Sequence, residues 1–228
     1  MNHPFWIILF YELKRRMARR SSALTAAAAF ALPLILIVVI AGPFDIDVDQ
    51  RLRLTGALII TFELVALFAF AGSIFGQLRA GERLYYRLSP LPLWGLFLLQ
   101  AAVFYCGFIL PIALALPLVA FFWALPSGAL PVLVVVTLIG GLSLSLIAAM
   151  IGALTAQSHT RFGTALLTGL PLSIPVVIFS LAALDHHHSG EPYMSDILFL
   201  ISLALFEGVV CAFLGQTALK NLTEQNKQ

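Results

Sequence analysis

Charge is scarce in this chain. Charged residues fill 11% of the 228 positions, against roughly 25% in ordinary soluble domains, while apolar residues reach 61%. A soluble fold of this length has too little interior to bury so much apolar surface, which excludes a soluble globular protein. An excess of one sign is missing as well. Thirteen basic and eleven acidic residues leave a net charge of +2, and the bases do not gather on a soluble face, so there is no nucleic-acid footprint. Cysteine is reduced to Cys106 and Cys211. Both lie inside apolar stretches and read as small hydrophobes rather than a disulfide or metal pair. No H-E-x-x-H or paired-aspartate motif supports an intramembrane enzyme.

What the chain has instead is apolar length. Its hydrophobic residues fall in blocks of about 20, enough to cross a hydrocarbon core of about 30 Å. Runs this long are helices rather than barrel strands, because lipid offers the backbone no partners. The sequence predicts an all-α polytopic membrane protein with six spans: Ser22–Ala41, Leu54–Phe75, Trp94–Ala120, Ala129–Ala156, Thr164–Leu184 and Ile197–Leu219. Residues 1–21 then form a basic segment, 22–219 the membrane domain and 220–228 a tail. The first run exceeds a signal-peptide core, so no cleavage is expected. Phe5, Leu9, Leu13 and Met17 make a stripe at helical spacing beside "KRRMARR". That pattern predicts a helix lying in the membrane interface.

Eleven of the thirteen basic residues fall on one side of this layout, leaving Arg51 and Arg53 on the other. The positive-inside rule then puts both termini in the cytoplasm. The stretch "DHHHSGEPYMSD", Asp185 to Asp196, lies on the outer face and holds His186, His187 and His188. Adjacent imidazoles diverge from an extended or helical backbone, so a solvated loop is preferred to a metal or heme site.

Two carboxylates interrupt the spans, Glu63 in "TFELVALF" and Glu207 in "LFEGVVC". Each costs at least about 2.5–3.5 kcal/mol at mid-membrane, so each should face the bundle interior. There it serves either as a substrate, proton or gating group, or as a protonated side chain bonded to a neighbouring helix. Prolines punctuate the spans, and "IGGLSLSLIAAMIGALTA" packs small residues densely, which suits close helix contact.

The connection after span two reads "FGQLRAGERLYYRLSPLPLWG". "GQLRAGER" approaches the phosphate-cradling G-x-x-x-x-G-K-[ST] pattern. Glu82 and Arg83, however, replace its lysine and hydroxyl, so no nucleotide site forms. Pro90 and Pro92 end any helix there. The segment reads as a short surface helix for a partner's groove or as an arginine-rich topology anchor.

Taken in order, "LSPLPLWGL", "LSLIAAMIGALT" and "GTALLTGLPLSIPVVIFSLAALD" resemble the heme exporter protein B (CcmB) family. These are permease subunits of the ABC transporter for cytochrome c maturation, with a fold similar to ABC-2-type permeases. The resemblance runs from about Gly56 to Leu184. It implies a bacterial inner-membrane protein with no catalysis of its own and no tightly bound cofactor. Heme would be the substrate, or ATP would drive release of a heme-loaded chaperone. It further implies a separate ABC ATPase, a heme-handling membrane protein, lipid and a homodimer within the complex as partners. The ATPase-coupling loop it suggests holds Phe75, Arg79, Gly81, Glu82, Arg83, Tyr85, Tyr86 and Arg87. Leu78 and Ala80 stand where the family carries acids. An ABC-2-type exporter of another substrate is the competing expectation.

Overall fold

Long apolar runs became long helices. The computed structural model describes residues 47–74, 92–126, 128–155 and 161–224. Along them run α1 (Val48–Ile74), α2 (Leu93–Phe104), a π-helical turn (Tyr105–Ile109), α3 (Leu110–Phe122), α4 (Ala129–Thr155), α5 (Arg161–Ser189) and α6 (Met194–Glu224). There is no strand among the described residues. Among the described residues, four stretches are long and apolar enough to cross a membrane: Leu93–Phe122, Ala129–Leu154, Gly169–Ser189 and Met194–Ala218. The chain is therefore a polytopic helical membrane protein. α1 occupies the interval expected for the second span, and its 27 residues extend about 40 Å at 1.5 Å per residue. The expected first span and the amino-terminal basic segment lie outside the described residues.

α4 is the centre of the bundle, packed by α1, α5 and α6 and also by the α2–α3 pair. Its small residues explain the position. At Gly140 an added Cβ would press on Ser180 Oγ of α5 at 3.2 Å, and at Gly141 it would collide with Ile109. Backbones approach this closely only where side chains are missing. Ala148, Ala149 and Ala153 continue the strip and are completely buried.

The π turn sits just before Pro111. Proline has no N–H to give, and its ring clashes with the carbonyl four residues back, so a widened turn absorbs the misfit. Phe108 of that turn stacks on Phe104 and on Phe62 of α1, each at 5.6 Å. Several hydroxyls inside the helices are satisfied locally. Thr55 Oγ1 donates to Arg51 O at 2.8 Å, Ser145 Oγ to Leu142 O at 2.7 Å and Ser173 Oγ to Leu170 O at 3.0 Å. Such bonds let polar side chains lie in hydrocarbon at little cost.

Tight turns make neighbours antiparallel. α3 closes with Ala124 at φ 48°, where Leu125 N–H donates to Ala120 O at 3.0 Å. α5 closes with Gly190 at φ 76°, where Glu191 N–H donates to His186 O at 2.9 Å. Both bonds run from the residue after a left-handed cap to a carbonyl in the last turn, as in a Schellman stop. The faces turned away from α4 stay apolar: Leu114, Leu118 and Phe121 on α3, and Leu205, Phe206, Val209 and Phe213 on α6 are exposed. In a membrane that surface meets lipid.

Candidate functional site

Two groups of polar residues stand out against this background, one inside the bundle and one at its end. Inside, Glu63 of α1 is 2% exposed, and it lines a narrow space with Leu133, Val136 and Thr137 of α4. Its Oε1 has no hydrogen-bond partner. Tyr105, in the π turn, lies within electrostatic range of it and donates its hydroxyl to Leu138 O at 3.2 Å. Glu207 of α6 is likewise 2% exposed, with neither carboxyl oxygen bonded. It faces Ser143 of α4, whose buried Oγ falls short of hydrogen-bond geometry and is also unpartnered. Cys211, one turn further along α6, is buried within electrostatic range of Glu207.

α4 thus receives a carboxyl group from a helix on each of two sides. A carboxylate without donors in a low-dielectric interior is costly. At each of these helix contacts a neutral side chain therefore costs less than a charged one. Sequence reading placed the glutamates inside spans but did not single out Tyr105 or Ser143. A hydroxyl in a small-residue span carries no signal of the residue opposite it.

At the end of the bundle the polar residues are paired. Arg53 of α1 meets Asp185 of α5 at 2.7 Å. His186 Nδ1 lies 2.6 Å from Asp196 Oδ2 of α6, and its Nε2 lies 3.7 Å from Glu191 Oε2. The His187 ring meets Tyr193 edge-on at 5.0 Å. This corrects the expected loop: residues 185–189 complete the last turn of α5, and only 190–193 form the turn. The helix continues because the Gly190 cap and its hydrogen bond come after the histidines. With both ring nitrogens of His186 facing carboxylates, the imidazole works as a strap between α5 and α6. Among the described residues no three His, Cys, Asp or Glu side chains converge as a metal site.

The suggested coupling loop, Phe75, Arg79, Gly81, Glu82, Arg83, Tyr85, Tyr86 and Arg87, lies outside the described residues.

The sequence also matches known proteins. The family model described as "CcmB protein" matches residues 5–221. Heme exporter protein B of Pseudomonas aeruginosa (strain PAO1) is 29% identical over 220 residues, covering 96% of this chain and 98% of its own. Heme exporter protein B of Paracoccus denitrificans (strain Pd 1222) is 32% identical over 133 residues, covering 58% of this chain and 61% of its own.

Proposed function

Because the chain belongs to the CcmB family, we propose that it is the membrane permease subunit of an ABC-type heme exporter serving cytochrome c biogenesis. The observation that carries this reading is a family match running from residue 5 to residue 221 along a helical membrane bundle. The relatives' name supplies heme as the substrate. The subunit is not an enzyme. ATP is hydrolysed by a separate ATPase, and a heme-handling membrane protein completes the assembly. Both termini face the cytoplasm of a bacterial inner membrane, on the strength of the basic-residue asymmetry.

With no phosphate cradle in its sequence, the permease must receive the ATPase stroke mechanically. The loop from Gln77 to Ser89 is the lever, stopped by Pro90 and Pro92. Its arginines and tyrosines are the residue types that dominate interface energetics. The stroke reaches α4 through helices that contact it closely, and Glu63 and Glu207 respond where those helices meet.

Two measurements test this. The gene should restore heme-stained c-type cytochromes to a strain lacking it, and the tagged chain should bring down an ABC ATPase. Replacing Tyr85 and Tyr86 together by Ala should cut ATPase recovery roughly tenfold at matched membrane levels, the effect of a lost interface hot spot. Normal cytochromes in the deletion strain would sink the heme assignment. Undiminished ATPase recovery would move the lever elsewhere, to the amino-terminal segment or 157–163.

A further inference from the structure

A cleft of about 390 Å³ opens between α1 and α5, lined by Arg53, Ala57, Leu181, Ala182, Leu184 and Asp185. Its floor is fixed where α1 and α5 touch, since a Cβ at Gly56 would collide with the Leu184 side chain. The small side chains of Ala57 and Ala182 leave the space open. Four of the six lining residues are apolar, and the two charged ones sit together at one end.

That end has a defined depth. Arg53 immediately precedes the apolar run of α1, and Asp185 immediately follows that of α5. Ala57 and Leu181 lie four residues further in, roughly 6 Å deeper at helical rise. The charges are therefore at headgroup level and the apolar wall at acyl-chain level. The Arg53 and Asp185 side chains are 64% and 55% exposed although they touch at 2.7 Å. One contact leaves most of the five guanidinium donors and one carboxylate oxygen unused. An exposed pair of this kind contributes little stability, so it can share its partners with a ligand at little cost.

We propose that this cleft binds one zwitterionic phospholipid, its phosphate on Arg53, its ammonium on Asp185 and an acyl chain along Ala57, Leu181 and Ala182. Arg takes phosphate through paired donors, and the adjacent carboxylate supplies the complement that an ammonium headgroup needs. A lipid with phosphate and a neutral glycerol head leaves Asp185 uncompensated. The site selects phosphatidylethanolamine over phosphatidylglycerol.

The test uses the full chain, purified with whatever subunits accompany it, stripped of lipid and titrated by native mass spectrometry. Phosphatidylethanolamine and phosphatidylglycerol of identical acyl chains are the probes. The wild type should retain phosphatidylethanolamine roughly tenfold better, the scale of one charge-assisted contact. Arg53→Gln with Asp185→Asn keeps net charge constant and should abolish the preference. Ala182→Leu fills the cleft without touching either charge and should weaken both lipids, which decides the matter if the double variant does not fold. A phosphatidylethanolamine carrying a diazirine in its acyl chain should crosslink near Ala57 and Leu181. Equal retention of both lipids by the wild type, undiminished binding in Ala182→Leu, or crosslinks confined to other helices would overturn the site. A surviving preference in the double variant would overturn the headgroup assignment.

Discussion

Glu207 shows how one residue joins packing to charge. Its two oxygens and the Ser143 hydroxyl are buried together without hydrogen bonds, so the contact suits a neutral, hydrogen-bonding side chain better than a charged one. Glu207→Gln should therefore leave insertion and cytochrome maturation within about twofold of wild type. Glu207→Lys should abolish maturation, since a lysine at mid-span costs about 2.5–3.5 kcal/mol even on insertion scales. The same order is expected at Glu63. Equal loss with Gln and Lys in stably inserted protein would mean that ionisation itself is required. The histidines divide differently. His187→Ala with His188→Ala should leave heme-stained cytochromes intact. His186→Ala and Asp196→Ala should each lower the melting temperature of the purified chain, and the double variant should lower it little further, because both remove one strap. Additive losses would show that the 2.6 Å contact contributes no coupling.

At the scale of elements, the working pair is α4 and the π turn. The turn bulges to accommodate Pro111, and Ile109 at its end fills the notch left by Gly141. Gly141→Val puts side-chain atoms where Ile109 already lies and should destabilise the bundle by about 1–3 kcal/mol, the usual cost of overpacking. Ile109→Ala should recover part of that loss in the double variant. Thermal unfolding of the purified variants measures it, and no recovery would mean the strain lies elsewhere. A widened turn packed against a glycine is a place where a span can bend without unpacking its ends.

The whole molecule is a layout of charge across a membrane. Reporter fusions after Lys220 should read cytoplasmic, and fusions at Gly190–Tyr193 should read external. An external carboxy terminus would overturn the six-span count. The exposed apolar faces of α3 and α6 follow from the same layout, because a helix at the rim of such a bundle has lipid as its solvent. The lipid cleft belongs to this scale too, since Arg53 and Asp185 gain their meaning from the depth at which both apolar runs stop.

Composition alone determined the class. With 61% apolar residues in long runs, the backbone had no option but helix, and Glu63 and Glu207 had no low-cost place except the interior. Spacing and order were enough to suggest the family. Partners across the bundle were not legible: Arg53 with Asp185, Ser143 with Glu207, and Ile109 with Gly141 join residues far apart in sequence. Their meeting depends on helix rotation and crossing, which local pattern leaves free in a chain that is apolar on nearly every face. Even the histidine triplet, read as loop from its polarity, was decided by a cap further on. Gly190 in the left-handed region, with Glu191 N–H on the His186 carbonyl, ended the helix after the histidines and turned His186 toward α6.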